Sequence, residues 1–163
     1  MGRAHAIGRV MTDAASVGAV LRAAYVLDEA VDAKDWLRVR HSFMPMVTVR
    51  IGVLVGDEAA LVPVDELVAG IASLNPPAKL SCHTLLNPIV TVTADHASLR
   101  AKRHGWASCA ELAPSLHELW GLVSYSFKLS EGAWLIEEMG LVTLREAGNQ
   151  DVALFRGVGG PAD

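Results

Sequence analysis

Residues 31–36 read Val-Asp-Ala-Lys-Asp-Trp and separate two stretches with helical periodicity. The stretch before this segment predicts a long amphipathic first helix that begins at Thr12 or Asp13, because apolar residues recur at spacings of three and four. These residues are Val17, Val20, Leu21, Ala24, Leu27 and Val31. A shorter apolar pattern starts at Trp36 and predicts a second helix that ends near Pro45. The segment is therefore the turn of a predicted helical hairpin.

The rest of the chain contains one more helical segment and several strand-like segments. A first strand is predicted over 47–51, and a third helix begins at Pro63 and ends before Asn75. Four longer strand-like runs, separated by turn residues, follow at 80–93, 96–112, 117–130 and 134–146. Helices first and antiparallel strands last predict an α+β fold, in which a curved, mainly antiparallel sheet wraps around the N-terminal helices. We expect one domain over 12–149, a lead-in at 1–11 and a flexible tail at 150–163.

The composition indicates a soluble domain with an apolar cavity, an apolar subunit interface, or both. Hydrophobic residues make up 52% of the chain and charged residues 20%. The two strands predicted over 117–130 and 134–146 are apolar on both faces, so we expect a homo-oligomer, a dimer or trimer, that covers the outer face of the sheet.

Several classes of partner and location are disfavoured. The formal charge of −4 and the scattered basic residues argue against nucleic-acid binding. The basic run at 100–104 is interpreted as an outward strand face with solvated side chains. No apolar run is long enough for a membrane span. Cys82 and Cys109 are the only cysteines and lack metal-type spacing. The expected state is therefore reduced, and the expected location is the cytoplasm.

The segment Asp32-Ala33-Lys34-Asp35-Trp36 resembles a segment of scytalone dehydratases that reads Asp-Ser-Lys-Asp-Trp. With the element order over about 12–149, it makes the chain similar to the SnoaL-like cyclases, scytalone dehydratases and ketosteroid isomerases. These proteins share the nuclear transport factor 2-like fold. The resemblance implies a cone-shaped domain with an apolar pocket for a small hydrophobic or aromatic, polyketide-like molecule.

Three residues are candidates for catalysis, beginning with Asp32, which is either an acid in the cavity or a helix N-cap. Asp35, by contrast, is expected to be a cap. His83 lies in a segment that resembles the His-x-x-x-Asn-Pro segment of SnoaL-like proteins, and can exchange a proton near neutral pH. His104 falls where the family has its second histidine, and would polarise a carbonyl if it faces inward.

The sequence also suggests residues that contact the substrate. Strand alternation places His83 and Asn87 on one face, and inward-facing His104 would bring Trp106 with it to stack on an aromatic ligand. Tyr25 and Tyr125 either supply a hydroxyl or pack in the core, since Val31 replaces the tyrosine that precedes the aspartate in the dehydratases. The predicted contact set is Tyr25, Trp36, Asn87, Trp106 and Tyr125.

The motifs favour chemistry without a metal or other cofactor. No closely spaced histidine pair accompanies the candidate residues, and no glycine-rich phosphate loop connects a strand to a helix. The leading hypothesis is an acid/base dehydratase, isomerase or cyclase in which Asp32 and His83 exchange protons with the substrate. Two alternatives stay open: a non-catalytic small-molecule-binding or assembly protein, and the small subunit of an aromatic-ring dioxygenase.

Overall fold

The computed structural model describes residues 14–157, which form helices and one six-stranded sheet. The helices are α1 (Ala14–Ala33), α2 (Trp36–Arg40), α3 (Gly52–Val55), α4 (Val64–Ser73) and α5 (Gln150–Leu154). The strands are β1 (Phe43–Arg50), β2 (Ala60–Pro63), β3 (Lys79–Thr93), β4 (His96–Cys109), β5 (Leu116–Ser130) and β6 (Ala133–Gly148). No helix in this part of the chain has the length and apolar character to cross a membrane.

The sheet has the order β2-β1-β6-β5-β4-β3, and its last four strands form the predicted antiparallel meander. Strand β1 joins the edge of the meander by running parallel to β6, and the short strand β2 then pairs antiparallel with β1. The predicted α+β class and curved, mainly antiparallel sheet are confirmed. Strand β2 and helix α3 have no counterpart in the prediction, because both are too short to show a clear period.

Helix α1 packs its apolar face on the inside of the sheet, mainly against β3 and also against β4 and β6. Val20, Ala24, Leu27 and Val31 are buried on this face, as the spacing predicts. The residues predicted to cap its start, like the lead-in at 1–11, lie outside the described residues. Helix α2 ends earlier than predicted, because Pro45 lies inside β1 rather than at the end of the helix.

A β-bulge in β3 changes which residues face the interior. The pairing with β4 shifts between Leu86 and Ile89, and Asn87 in this bulge adopts a left-handed backbone conformation with φ of 53°. His83 and Leu85 therefore face inward before the bulge, whereas Ile89 beyond it is exposed. The prediction that Asn87 shares the inner face with His83 is wrong, because simple alternation does not continue through a bulge.

The packed structure continues beyond the predicted boundary at residue 149. Asn149 caps α5 by accepting a hydrogen bond from the backbone N–H of Asp151, and Val152 in this helix is fully buried. Helix α5 packs against β4 and β5. The expected flexible tail from residue 150 is therefore corrected for residues 150–157, and residues 158–163 lie outside the described part of the chain.

Candidate active site

Asp32 and His83 form a directly hydrogen-bonded pair between the last turn of α1 and the first half of β3. Asp32 Oδ1 is 2.6 Å from His83 Nδ1, and Asp32 Oδ2 accepts a 2.8 Å hydrogen bond from the backbone N–H of His83. The hydroxyl of Ser81 donates a further 2.8 Å hydrogen bond to Asp32 Oδ1. Because both carboxylate oxygens are engaged by β3, Asp32 holds the His83 ring in one orientation.

The contact with His83 keeps Asp32 ionised and selects the ring nitrogen that carries a proton. Burial by itself raises the pKa of Asp32, but the hydrogen bonds and charge of His83, with the Ser81 hydroxyl, outweigh burial and lower it below its ordinary value. An ionised carboxylate can only accept hydrogen bonds, so Nδ1 of His83 carries the proton that it shares with Asp32. When the ring is neutral, its Nε2 has a free lone pair, which can act as a base.

His83 lies at the junction of a cavity with two lobes. The apolar lobe is lined mainly by aliphatic side chains from α1, α3 and α4 together with Met139. The basic lobe lies toward the start of β3 and contains Lys79 and His117. Both lobes are bordered by Val53, Leu74, Asn75, His83 and Arg103. A ligand that fills both lobes must therefore pass the ring of His83.

Asp32 does not line either lobe. It borders a separate surface cleft between α1 and β3, which it shares with Tyr25 and the other edge of His83. Its side chain is 22% exposed. Asp32 contacts the cavity lining through His83 and Ser81, both of which border the basic lobe.

A buried ion pair, Asp28 with Arg103, forms one wall of the apolar lobe next to His83. Nη2 of Arg103 donates a hydrogen bond to Asp28 Oδ1, while Arg103 Nε and Asp28 Oδ2 have no hydrogen-bond partner within residues 14–157. Burial opposes the charge of Arg103, but Tyr125 and Asp28 more than offset it and raise the pKa of Arg103. The guanidinium is thus a permanent cation at the cavity wall.

Tyr125 on β5 also borders the apolar lobe. Its hydroxyl is buried without a hydrogen-bond partner in the described part of the chain. Burial is the largest influence and raises the pKa of Tyr125 to about 12 in spite of the opposing charge of Arg103. Tyr125 therefore presents a neutral phenol that can donate a hydrogen bond to a ligand.

Of the other residues predicted to contact substrate, Tyr25 and Trp36 lie away from both lobes. Tyr25 is 46% exposed and borders the surface cleft beside Asp32. Trp36 begins α2 and packs against the apolar core. Asn87 borders a surface depression on the outer face of the sheet, next to Ile89 and Leu122.

His104 lies on the outer face of the sheet, so the prediction that it belongs to the same site is corrected. Gly105 is paired with His83, and a Cβ built on Gly105 would lie 3.4 Å from the ring of His83. The adjacent His104 must point to the opposite face, where it stacks on Trp120 at 5.0 Å and its Nε2 is 3.2 Å from Glu118 Oε1. Trp106 borders the basic lobe but shares the outward alternation of His104 and is 36% exposed.

Sequence reasoning missed Asp28, Arg103 and the basic groups of the second lobe. Arg103 was assigned to an outward basic run, whereas its side chain is only 12% exposed. The missed signal is alternation, because Leu99 and Ala101 on the same strand are buried and predict an inward position for Arg103. Asp28 lies one helical turn before Asp32 and next to buried Leu27, which indicates a position near the interior.

No group of three or more histidine, cysteine, aspartate or glutamate side chains within residues 14–157 is arranged to hold a metal ion. Cys82 and Cys109 are both free thiols.

Comparison with known proteins places this chain in a family. The sequence matches the SnoaL-like domain family over residues 2–140. The chain belongs to the SnoaL-like domain family. No curated protein matches the sequence at a significant level.

Several solved structures share the fold of this SnoaL-like protein. The Kfla4162 protein of Kribbella flavida is 19% identical, with a TM-score of 0.77 over 86% of this chain and 99% of that chain. A candidate scytalone dehydratase of Novosphingobium aromaticivorans is 14% identical, with a TM-score of 0.73 over 91% and 96%. A hexachlorocyclohexane dehydrochlorinase, LinA type 2, is 12% identical, with a TM-score of 0.67 over 82% and 88%. The shared fold is that of the nuclear transport factor 2-like proteins.

Proposed function

We propose that this SnoaL-like protein is an acid/base enzyme in which His83 removes a proton from a carbon of a small, largely apolar substrate. The observation that carries the proposal is the 2.6 Å contact of His83 Nδ1 with Asp32, on a ring that borders both lobes of the cavity. Asp32 orients the ring and stabilises the imidazolium that forms when Nε2 takes the proton. In this scheme, His83 is the catalytic base and Asp32 is a positioning residue.

The reaction class that fits this arrangement is elimination or isomerisation next to a carbonyl group. His83 Nε2 takes the proton, and the C–H electron pair forms an enolate whose oxygen accepts hydrogen bonds from Tyr125 and Arg103. In a dehydration, the enolate expels a hydroxyl group from the neighbouring carbon, and this group takes the proton from His83 and leaves as water. Return of the proton to another carbon gives an isomer instead. Neither route needs a cofactor.

The names of two structural relatives support elimination as the first choice. One is a candidate scytalone dehydratase and another a hexachlorocyclohexane dehydrochlorinase, so both names describe an elimination, of water in one case and of hydrogen chloride in the other. The aliphatic lining of the apolar lobe fits a hydrophobic or aromatic ring. Tyr125 and Arg103 take the carbonyl-polarising role that the sequence suggested for His104.

The test is turnover of a panel of aromatic and alicyclic β-hydroxy ketones in D₂O, followed by NMR for loss of water and for deuterium incorporation next to the carbonyl. We expect His83→Asn and Asp32→Asn each to lower the rate by about a hundredfold or more, the scale of a lost proton-transfer group. The matched controls are His104→Asn on the outer face and Asp35→Asn at a helix cap, which should retain the wild-type rate.

A ¹⁵N measurement of the His83 ring tests the proposal without a substrate. The neutral ring should carry its proton on Nδ1 in the wild type, and Asp32→Asn should remove this preference because an amide can also donate a hydrogen bond. Binding of the panel compounds by the wild type without exchange or turnover would contradict the enzyme proposal and favour the binding-protein alternative.

We also propose that the protein forms a homo-oligomer through the outer face of the sheet. Leu122 and Val142 lie opposite one another on β5 and β6 and are 45% and 60% exposed. Ile89 on β3 is 63% exposed and borders the same surface depression as Leu122 and Val142. An exposed apolar patch of this kind is typical of a subunit interface. We propose further that the protein is cytoplasmic, because its two free cysteines fit the reducing conditions of that compartment.

A further inference from the structure

The basic lobe of the cavity has an unusual set of polar groups. Its lining includes Lys79, Arg103 and His117, and none of its lining residues is an aspartate or a glutamate. Lys79 is 3% exposed and His117 is 5% exposed. Arg103 is paired with Asp28, so Lys79 and His117 are the polar groups whose burial calls for an explanation.

Lys79 is held in place but retains an unused donor. Its Nζ donates 2.8 Å hydrogen bonds to the carbonyl oxygens of Leu74, at the end of α4, and of Ala153 in α5. An ammonium group has three N–H donors, and these two bonds leave one for a ligand. Burial, with a smaller effect from Lys34, lowers the pKa of Lys79 to about 8 against the opposing effect of Cys109. The cationic form therefore still predominates at neutral pH.

His117 on β5, two strands away from Lys79 in the sheet, provides a second unsatisfied group. Its side chain is 6% exposed, and Nε2 has no hydrogen-bond partner within residues 14–157. The nearest carboxylate oxygen, Glu146 Oε1, is 3.5 Å from Nε2, and the side chain of Glu146 is 35% exposed. At 3.5 Å this contact is too long for a good hydrogen bond, so Nε2 is available to another acceptor.

The floor between these groups is kept open by small residues. Ala107 on β4 lies between Ser81 on β3 and His117 on β5 in the strand register, and Gly105 lies between His83 and Leu119. A larger side chain at either position would project into this space, since both residues line the lobe. The lobe therefore has room for a small polar group that extends from the junction at His83.

We propose that the basic lobe binds a carboxylate group, so that the substrate of this SnoaL-like protein is a small amphiphilic acid. The inference rests on the proposed function: the hydrophobic part occupies the apolar lobe, the reacting carbon lies beside His83, and the carboxylate accepts hydrogen bonds from Lys79 and His117. A carboxylate fits because it only accepts hydrogen bonds, whereas Lys79 Nζ can only donate them.

The test uses 4-phenylbutanoate and its neutral counterpart 4-phenylbutanamide, which differ only in the charged group. Their dissociation constants are measured by isothermal titration calorimetry at neutral pH. We expect the wild type to bind the carboxylate about tenfold or more tightly than the amide, the scale of a charge-assisted hydrogen bond. Equal affinity for the two compounds, or binding of neither, overturns the proposal.

Variants locate the preference within the protein. Lys79→Met and His117→Phe should each remove most of the preference for the carboxylate, and the use of two positions keeps the test valid if one variant fails to fold. Lys128→Met is the matched control, because Lys128 pairs with Asp95 at a surface turn and does not border the lobe. A preference that persists in both lobe variants overturns the proposal.

The His83→Asn variant separates this proposal from the proposed function. It should lose turnover but keep its preference for the carboxylate, because His83 lies at the junction rather than among the groups that bind the carboxylate. Turnover that survives in His83→Asn contradicts the catalytic scheme alone. If the wild type itself shows no preference for the carboxylate over the amide, only the proposed substrate class is contradicted.

Discussion

At the scale of single residues, the pair of Asp28 and Arg103 links the stability of the protein to its cavity. Their side chains are 9% and 12% exposed, and they connect α1 to β4 across the apolar lobe. A buried ion pair contributes little net stability, but removal of one partner leaves an uncompensated charge. The same guanidinium is the cation proposed to stabilise an enolate, so the stability effect and the catalytic effect of a substitution must be measured separately.

Arg103→Met should lower the free energy of unfolding by about 3–5 kcal/mol, because Asp28 is then buried without its partner. The measurement is urea unfolding at neutral pH. Addition of Asp28→Leu should restore much of the loss, since both charges are then absent. Arg40→Met is the control, because the Arg40–Asp65 pair is fully exposed and should change stability little. Equal effects of Arg103→Met and Arg40→Met would show that the buried pair has no special role.

At the scale of elements, the junction of α1 and α2 gives two nearby aspartates different tasks. Lys34 adopts a left-handed conformation with φ of 59° between the two helices. Asp35 then caps α2 by accepting a hydrogen bond from the backbone N–H of Arg38, so its predicted cap role is confirmed. Asp32, in the last turn of α1, instead accepts hydrogen bonds from β3. The turn thus separates a residue that starts a helix from one that joins a helix to the sheet.

Asp35→Ala should cost about 1 kcal/mol of stability, because the first turn of α2 loses its cap, whereas Asp35→Asn should be nearly neutral since asparagine caps about as well. Thermal or urea unfolding of the three proteins measures both effects. Turnover of Asp35→Ala under folded conditions should match that of the wild type. A large stability loss in Asp35→Asn would mean that the negative charge, not the cap, is what matters.

At the scale of the whole molecule, the sheet presents different chemistry on its two faces. The inner face of β4 and β5 carries Arg103, Gly105, His117 and Tyr125 toward the cavity. The outer face carries exposed aliphatic residues such as Leu122. A sheet that is apolar on both faces needs a cover on each, and α1 covers only the inner one.

The double substitution Leu122→Lys with Val142→Lys should convert the proposed oligomer to a monomer, because it places two charges opposite one another on the outer face. Sedimentation velocity at micromolar concentration measures the change. Leu37→Lys is the control, because Leu37 is 65% exposed on α2 and should leave assembly intact. A wild-type protein that sediments as a monomer at this concentration contradicts the proposal.

Local patterns in the sequence were sufficient for the main elements, and short motifs indicated two residues of the candidate site. Spacings of three and four placed α1, alternation placed the long strands, and the Asp-x-x-Asp-Trp segment with a later histidine pointed to Asp32 and His83. The spacings depend on neighbours within a few residues, so they can be read directly from the chain, whereas Asp32 and His83 were identified by the resemblance of their segments to a known family. The 2.6 Å contact of Asp32 with His83 agrees with their predicted pairing, while their catalytic role stays a prediction.

Only the tertiary structure decided which face of each strand meets the cavity. The bulge at Asn87 reverses which residues of β3 face the cavity beyond it. The register of β4 places His104 on the outer face and Arg103 on the inner face. The partners Asp28 and Arg103 are 75 residues apart, and Lys79 bonds to a carbonyl 74 residues away. The sequence determined by itself where the long first helix and the long strands form, because periodicity is local. The composition of the cavity depended on register and on packing between distant segments, which no local pattern encodes.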